Sequence, residues 1–444
     1  DQVDVICELF RPDMVKGRVG EKDEGGFASS KIIEGSGPHA ALVWQRGFYG
    51  NMVSRKSDWF RDTLIDPPRW TGVKFKGNDE VNQYLQDVDE HIRSVYRRSN
   101  FYDVMPSYVL SGGTTGSPVM LRERDYENDR IICKVPDYSA RFIDKDIFGY
   151  DNCLHVEWEW NVLQALEYFN KEDLPLAVQQ SINNGRHYDK HKYLQVIYPA
   201  GDLIYEGLKT KATHPWMEHF ICLNASDERE QKVLRPKKRG PGYYKRPFST
   251  WHYWRNWHEN YGKSMAWWAV YDVKGNNAHW EALFGEAELS VRPPVWAMAT
   301  MRGLLDLAPG GDMYARNAEE YDRPPTFLDR KTRYQAAIDF ADRLSHAIKR
   351  HFHNDLFMGT NMLETNRNQP ETAYGLWLMQ SERNVQLLPQ VETYENQVLK
   401  DNHESFLEME RAAEPAYPWG RLPEPPDIVK EYSQYVEGAE HSEV

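Results

Sequence analysis

A pair of double prolines in the second half of the chain constrains the fold more than any other sequence feature. Pro293-Pro294 follows a long helical pattern, and Pro324-Pro325 comes directly before a second one. Proline lacks a backbone N–H and clashes with the preceding turn of a helix, so neither helix can continue through these points. Between them, 295–323 contains only short apolar pieces around a Pro-Gly-Gly sequence. The sequence therefore predicts a small module inserted between two helices.

The second of these helices has a clear periodic pattern. Its apolar side chains recur every three or four residues along one stripe: Tyr334, Ile338, Ala341, Leu344, Ile348 and Phe352. Thr326 and Asp329 resemble a capping box, which predicts that the helix begins close to Thr326. A polar loop at 358–370 and a long helical stretch at 371–412 follow, and Pro389 is expected to kink that stretch. A last short helix is expected near 427–436.

The first half of the chain mixes helical and strand-like patterns. Residues 80–98 have one apolar helical face and 154–170 also suggests a helix, whereas 1–60 shows no long period and the glycine-rich run 111–116 is typical of a loop. Apolar runs separated by Asp, Asn and Gly clusters indicate antiparallel strands at 117–122, 130–135, 140–144 and 193–223. Sheet and helix are therefore expected side by side in this half.

The net charge restricts the classes of function. It is −13, whereas a protein that grips nucleic acid over a broad surface is usually basic, because neutralising phosphates supplies the affinity. This balance argues against a sequence-reading DNA binder. It suits a wall that DNA slides past, since acidic residues keep the phosphate backbone at a distance.

Cysteine usage and the apolar runs indicate the compartment. Cys7, Cys133, Cys153 and Cys222 are far apart and form no CxxC pair, which argues against a zinc ribbon and a disulfide framework. Folding in a reducing compartment, such as bacterial cytoplasm, is therefore expected. No run approaches the ~20 apolar residues of a membrane span. No secretory signal is visible at the start, and Asp1 suggests that the numbering begins inside the translated chain.

We predict no catalytic residue, no cofactor and no metal site. The run 112–117 has the glycines of a phosphate-binding loop but no lysine, and no GxSxG elbow is present. His187 and His191 are spaced to share a helical face, but the glutamate of a HExxH motif is missing and the local sequence is typical of a loop. The missing lysine argues against a motor ATPase, which would need the phosphate-binding loop.

Aromatic residues make up 13% of the chain, with 15 Trp and 26 Tyr, and this richness leaves two interpretations open. One is a glycan-binding enzyme with aromatic platforms, and the other is an assembly subunit whose aromatics fill interfaces. The run 251–257, Trp-His-Tyr-Trp-Arg-Asn-Trp, could stack on a sugar. A packed strand or an interface segment is the simpler interpretation.

A basic stretch follows the second group of strands. It contains the turn 240–242 and is interpreted as a hairpin with a charged tip. The residues that could contact nucleic acid there are Arg235, Lys237, Lys238 and Arg239. Such a tip is more often a solvated surface or an interface with an acidic neighbour.

Short motifs occur in a fixed order along 59–412. Trp59-Phe60 precedes the helix at 80–98 and the run Ser99-Asn100-Phe101-Tyr102, and a D-x-x-G turn lies at 146–149. The most specific stretch is Glu-Asn-Tyr-Gly-Lys-Ser-Met-Ala at 259–266. The other short motifs, in chain order, are Arg69-Trp70, the D-x-K-x-x-N pattern Asp272, Lys274 and Asn277, the double proline after Arg292, Asp306-Leu307-Ala308-Pro309-Gly310-Gly311, Pro370-Glu371-Thr372-Ala373 and Glu382 with Leu387-Leu388-Pro389.

In order and spacing these motifs resemble the head-to-tail connecting (portal) proteins of short-tailed phages. The stretch at 259–266 is similar to that family's E-x-Y-G-R-S-P-A, with Lys263 in place of arginine and Met265 in place of proline. The resemblance implies an α+β portal fold with an α/β wing, a two-helix stem, a small α/β clip and a long kinked C-terminal helix that leads to a crown. It also implies that family members continue beyond the position of Val444.

The resemblance divides the chain into the following parts: 1–266 as the N-terminal part of the wing, 267–292 as the first stem helix, 293–325 as the clip, 326–357 as the second stem helix, 358–370 as the tunnel loop, 371–412 as the long kinked helix and 413–444 as the crown-proximal segment. It implies a ring, usually of twelve subunits, at one capsid vertex of the virion, assembled in the host cytoplasm. Its implied partners are double-stranded DNA that passes without sequence specificity, terminase, tail adaptor or nozzle proteins, and capsid and scaffolding proteins, with no membrane.

The same resemblance implies two sets of contact residues. The tunnel loop would face DNA through Thr360, Asn361, Met362, Glu364, Asn366, Arg367, Asn368 and Gln369. The clip would dock terminase and then the adaptor through Val295, Trp296, Arg302, Asp306, Asp312, Tyr314, Arg316, Glu319 and Glu320. With one arginine and one glutamate, the loop can touch a duplex without holding it.

Three other classes of protein are alternatives. A glycan-cleaving tail enzyme would show a repetitive β pattern and paired acids in a cleft, and the helical stripe after Thr326 is against it. The large terminase subunit would need the missing phosphate loop. Adaptor proteins are usually much shorter than 444 residues.

Overall fold

Both helices and antiparallel strands are present, as expected for an α+β protein. A computed structural model describes residues 2–14, 32–53, 55, 58–64, 66–67, 69–200, 214–223, 233–237, 242–291, 295–296, 322, 326–327, 334–357, 385, 387–414, 419–431 and 440–443. The helices are α1 (Gln2–Phe10), α2 (Ser36–Met52), α3 (Asp79–Arg98), α4 (Phe101–Thr115), α5 (Val162–Tyr168), α6 (Leu176–Asn183), α7 (Met265–Val291), α8 (Tyr334–His351), α9 (Asn354–Phe357), α10 (Lys400–Arg411) and α11 (Asp427–Glu431).

The strands form two main antiparallel sheets and two short pairs. They are β1 (Arg61–Leu64), β2 (Val119–Asp125), β3 (Arg130–Lys134), β4 (Arg141–Lys145), β5 (Asp151–Asn161), β6 (Lys190–Pro199), β7 (Trp216–Cys222), β8 (Val233–Leu234), β9 (Gly242–Tyr243), β10 (Phe248–Thr250), β11 (Val295–Trp296), β12 (Thr326–Phe327) and β13 (Glu440–Glu443). The first sheet has the order β10-β2-β3, and the second runs β4-β5-β6-β7-β8, with β9 also on β7. β11 pairs with β12, and β1 pairs with β13.

The segment 154–170 is a strand as far as Asn161 and a helix from Val162 to Tyr168, so the helix predicted there is wrong for its first half and confirmed for its second. Leu154 and Val156 are fully buried and pack with Val119 and Leu121 of the other sheet, while the residues between them are less buried. This alternation has a period of two, as in a strand with one face in the core. The helix α5 begins only where Asn161 caps it with a capping box.

The glycine-rich run 111–116 is not a loop but the last turn of α4. Gly112 and Gly113 lie inside the helix because each faces a tryptophan: a Cβ at Gly113 would lie 2.5 Å from Trp44, and one at Gly112 would overlap Trp251. Only Gly116 has a positive φ, of 86°, and it ends the helix. These glycines therefore allow close packing in the largest core cluster, where the rings of Trp44 and Trp251 lie 6.2 Å apart.

The N-terminal 60 residues contain two helices that the sequence pattern did not predict. The longer one, α2, buries Ala40, Ala41, Trp44 and Phe48 against several other helices. The buried residues do lie on one helical face, but that face includes Ser36, Gly37 and Gln45, and Leu42 is exposed, so hydropathy alone does not reveal it.

The two helices around the double prolines form an antiparallel pair. His351 of α8 contacts Asp272 near the start of α7, and His279 further along α7 contacts the carbonyl of Ala337. The capping box at Thr326 is wrong, because Thr326 belongs to β12 and pairs with Trp296. A single helix over 326–357 is also wrong, because His353 has φ 50° between α8 and α9.

Two further predictions concern the basic stretch and the C-terminal helix. The basic stretch is not a hairpin, because β8 and β9 both pair antiparallel with β7 and follow each other along its edge. The long C-terminal helix is described from 387, with Pro389 near that start and a π-helical turn at Glu395–Leu399 before α10. No helix in the described ranges combines the length and apolarity needed to cross a membrane.

Candidate functional site at the root of the long helix

Four distant segments meet where α7 begins. They are the end of α4, the turn at 146–149 between β4 and β5, the aromatic run 251–257 and the motif 259–264. All four contain sequence features noted above, and the structure brings together residues as far apart in the chain as Gly116 and Gly262. We call this set the α7 junction.

Backbone contact between two glycines closes the α7 junction. A Cβ on Gly262 would lie 2.8 Å from the carbonyl oxygen of Gly116 and 3.1 Å from that of Trp254, and one on Gly116 would lie 2.5 Å from the carbonyl oxygen of Gly262. Ser264 donates to the carbonyl of Thr114 at 2.5 Å. The motif therefore joins the end of α4 directly to the start of α7.

A buried chain of polar groups lies behind this contact. The N–H of Gly262 donates to Ser117 Oγ at 2.6 Å, Ser117 Oγ lies 3.0 Å from His252 Nδ1, and His252 Nε2 lies 2.7 Å from Asp151 Oδ2. Arg255 donates to Asp151 Oδ1 at 2.6 Å, and Thr250 also bonds Asp151. Both oxygens of the buried Asp151 carboxylate and both ring nitrogens of His252 therefore have hydrogen-bond partners.

The pKa shifts of Asp151 and His252 indicate how the two side chains are protonated. Burial alone would raise the pKa of Asp151, but the hydrogen bond and charge of His252, with Thr250 and Arg255, lower it to about 2. Burial lowers the pKa of His252, although Asp151 opposes that shift. Neutral His252 therefore carries its proton on Nε2 toward the carboxylate, and the Ser117 hydroxyl donates to Nδ1.

The order Ser117–His252–Asp151 is that of a hydrolase triad, but its surroundings give it another role. Ser117, His252 and Asp151 are 0%, 3% and 5% exposed, and the Ser117 oxygen already accepts the N–H of Gly262. A nucleophilic serine must reach a substrate carbonyl with a free lone pair. The triad-like chain instead fixes the backbone on both sides of the glycine contact.

The turn at 146–149 is tied to the same junction. Asp146 Oδ1 accepts the N–H groups of Phe148 and Tyr150 at 2.9 and 2.8 Å, and Gly149 takes φ 87°. Arg255 donates to the carbonyl of Gly149 at 2.5 Å. The D-x-x-G motif thus forms a tight turn whose backbone is held by the aromatic run.

Strand β4 adds contacts to the motif itself. Lys145 donates to the carbonyl of Glu259 at 3.0 Å, and Tyr261 accepts the N–H of Ile143 at 3.1 Å. Glu259 and Lys263 form an ion pair of 2.9 Å, which together with other contacts lowers the pKa of Glu259. Strand β4 and the root of α7 are therefore mechanically joined.

Beyond the junction, α7 changes its surroundings along its length. Ala266, Ala269, Val270 and Val273 are buried, and Asn277 accepts the N–H groups of Ile33 and Glu34 at 3.3 and 3.0 Å. Among the described residues after 277, Leu283 is the one buried side chain of α7. The second half of α7 and the first half of α8 therefore extend from the body as a helix pair.

The C-terminal helix is attached to the first sheet by buried ion pairs. Arg122 of β2 is fully buried and contacts Asn402 and Asp401, the latter at 3.1 Å. Arg124 lies 2.7 Å from Glu410, which also contacts His91 at 3.0 Å. Removing one partner of such a pair leaves a buried charge, so these contacts specify where α10 docks.

The structure describes part of the predicted contact residues. The whole tunnel-loop set, and the clip residues Arg302 to Glu320, lie outside the described residues, whereas Val295 and the exposed Trp296 form β11. Arg235 is exposed, and Lys237 bonds the carbonyls of Leu166 and Tyr168, so Lys237 is tied to α5; Lys238 and Arg239 lie outside the described residues.

Other sequence candidates are separated or buried. His187 lies in an exposed turn and His191 in β6, and no cluster of potential metal ligands occurs in the part of the chain that the structure describes. Trp251 is fully buried and cannot stack on a sugar, whereas Trp254 and Trp257 are exposed. Sequence reasoning missed Ser117, His252 and Asp151, since no local pattern marks three residues that meet only through the fold.

Comparison with known proteins identifies the family. The chain belongs to the bacteriophage head to tail connecting proteins, whose family model matches residues 2–437. It is 22% identical over 411 residues to a probable portal protein of Bordetella phage BPP-1, covering 89% of this chain and 68% of that protein. It is also 22% identical over 157 residues to the portal protein of Salmonella phage epsilon15, covering 35% of this chain and only 27% of that protein.

Proposed function

We propose that this chain is a phage portal protein that forms a ring of about twelve subunits at one capsid vertex of the virion. DNA passes through the ring during packaging and ejection, without sequence readout. The ring docks terminase first and the tail adaptor or nozzle proteins afterwards, and it contacts capsid and scaffolding proteins during assembly in the host cytoplasm. The subunit supplies a channel and a platform, and hydrolysis belongs to the terminase.

One observation carries this proposal beyond the family assignment: the helix pair α7 and α8 extends from a rigid α+β body. The pair is anchored at one end by the α7 junction, while its far half exposes Phe284, Leu289 and Phe340. Exposed large apolar side chains on a projecting helix pair suit a subunit whose neighbours cover them. The pair would be the stem, and the α+β body most of the wing.

The remaining parts are assigned by position in the chain. The segment 293–325 would be the clip, 358–370 the tunnel loop, and the helix that ends at Arg411 would return to the wing and lead to the crown. Arg367 in the tunnel loop would contact passing phosphate and limit backsliding of DNA. In packaging assays, rings with Arg367→Ala should release packaged DNA more readily, and unchanged retention would contradict this role.

The native mass of the purified chain tests the proposal most directly. Native mass spectrometry and class averages should show a ring with a central hole at micromolar concentration. A chain that stays monomeric at every salt and protein concentration would contradict the proposed function. Trp251→Ala is a useful comparison, because the cavity it leaves in the core should lower the amounts of folded monomer and of ring together.

A further inference from the structure

Two acidic side chains and a histidine meet in the interior where the C-terminal helix α10 docks on α3 and β1. Asp89 of α3 is 3% exposed and His403 of α10 is 2% exposed, and Asp62 of β1 connects them. Asp62 Oδ1 lies 2.7 Å from His403 Nε2, and the N–H of Asp62 donates to Asp89 Oδ1 at 3.1 Å. We call these three residues the α10 latch.

Apolar side chains enclose the α10 latch. The ring of Phe60 lies 4.5 Å from the ring of His403. Val88, which precedes Asp89 on α3, is buried in the same core cluster as Phe406 of α10. Asp89 is therefore shielded from water as long as α10 and β1 stay docked on α3.

The two carboxyl groups of the latch are short of positive charge. His403 pairs with Asp62, and no cationic side chain in the described part of the chain forms an ion pair with Asp89. Arg93, one turn further along α3, pairs with Asp58 at 3.4 Å. Burial and the charge of Asp62 raise the pKa of Asp89 to about 6, although the N–H of Asp62, Arg93 and His403 oppose that shift. Asp89 therefore exchanges its proton close to neutral pH.

Other titratable side chains adjoin the latch. They are Tyr84, Tyr96 and Arg411 near Asp62, and His91, Arg124 and Glu410 near the end of α10. Burial alone would raise the pKa of Glu410, but the hydrogen bond of His91 and the charge of Arg124 lower it. Glu410 therefore stays ionised in the pH range in which Asp89 changes its charge.

We propose that the α10 latch is a proton-dependent device that holds α10 more tightly in weak acid than at neutral pH. Proton uptake by Asp89 removes the repulsion between two buried carboxylates, and it leaves Asp62 as the charged partner of His403. Loss of that proton places a second negative charge in the same interior, which favours the undocking of α10 and the hydration of Asp89. The inference does not rest on the proposed function, since every residue of the latch lies within one subunit.

Hydrogen exchange of the α10 amides in the full chain measures the strength of the latch. Peptides that cover 400–411 are compared at pH 5 and pH 7.5, with exchange times scaled for the intrinsic dependence of amide exchange on pH. The pKa of Asp89 is about 6 when α10 is docked and about 3.9 when the side chain is exposed, so its proton favours docking about tenfold at pH 5 and hardly at all at pH 7.5. The protection of α10 should therefore rise about tenfold from pH 7.5 to pH 5.

Two substitutions on α3 separate the latch from a general effect of charge. Asp89→Asn removes the charge at nearly the same volume, so α10 should be as protected at pH 7.5 as it is in the unaltered chain in acid, and should then hardly respond to pH. Asp87→Asn is the matched control, because Asp87 is exposed two residues away on the same helix, and it should keep the tenfold rise. Thermal unfolding gives a second readout: Asp89→Asn should raise the melting temperature at pH 7.5 and change it little at pH 5.

Three results would overturn the inference. In the first, the scaled protection of α10 in the unaltered chain is the same at pH 5 and pH 7.5. In the second, the rise persists in Asp89→Asn, so that another group binds the proton. In the third, Asp87→Asn abolishes the rise as well, so that net charge and not the latch controls docking. None of these measurements depends on ring formation, so a failure of the latch leaves the proposed function untouched.

Discussion

The two halves of α7 have opposite surroundings. In the first half one face is enclosed: buried alanines and valines pack on the body, and Gly262 and Ser264 hold the helix start against α4. The second half is open, with Phe284 and Leu289 exposed to solvent. Apolar side chains of α7 are thus buried in the core in the first half and exposed in the second. Substitutions that are costly in the first half should be mild in the second.

The largest difference is expected between two tryptophans of one segment. Trp251 is fully buried between Trp44 and Phe48, whereas Trp257 is 72% exposed. Trp251→Ala should lower the free energy of unfolding by about 3–5 kcal/mol, because it removes contacts and leaves a cavity. Trp257→Ala should change it by no more than about 0.5 kcal/mol. Denaturant titration measures both free energies of unfolding. An equally small loss in the two variants would contradict the buried position of Trp251.

A second effect is expected at Gly262, at the start of α7. In Gly262→Ala the new methyl group would meet the backbone of Gly116 and Trp254, which cannot move aside as a flexible side chain would. The expected loss is about 1–3 kcal/mol in the free energy of unfolding. If Gly262→Ala is neutral in chemical denaturation, the two backbones are further apart than this structure has them.

Acid should weaken the α7 junction through His252. Because burial lowers the pKa of His252, the unfolded chain binds more protons than the folded one below pH ~6.5, and stability falls as the pH falls. One such histidine contributes a slope of at most about 1.4 kcal/mol per pH unit. His252→Gln should remove this part of the slope between pH 7 and 5. Parallel unfolding curves for both chains at every pH would contradict it.

The smallest effect is expected on the exposed face of α7. A Cβ on Gly275 meets nothing within 4 Å, and the position is an exposed helix interior. Gly275→Ala should raise the free energy of unfolding of the monomer by about 0.5–1 kcal/mol, since alanine loses less backbone entropy on folding. Gly285→Ala, at an equally open position further along the helix, should raise the free energy of unfolding by a similar amount. A loss of stability in both would indicate a covered helix face.

Sequence reasoning succeeded where a pattern is local. The helical face at 80–98 corresponds to α3, and the runs at 117–122, 130–135 and 140–144 correspond to β2, β3 and β4. Each of these elements buries one side, so its own periodicity is enough to reveal it. The D-x-x-G turn is likewise local, since Asp146 bonds its own following N–H groups.

The errors arise where a distant partner decides the local structure. Gly112 and Gly113 look like a loop until Trp251 and Trp44 are placed against them. Thr326 looks like a helix cap but pairs with Trp296, thirty residues earlier in the chain. Propensity is a weak influence that tertiary contacts override, and short runs are the most easily overridden.

The sequence alone determined the family, the order of the motifs and several of the longer regular elements, because these depend on residues close together in the chain. Only the tertiary structure decided what the motif at 259–264 does. Its glycine fits against Gly116, and Ser117, His252 and Asp151, which are separated by up to 135 positions, pair behind it. The physical reason is that a buried polar group must find a partner wherever the fold places one, and separation along the chain sets no limit on that choice.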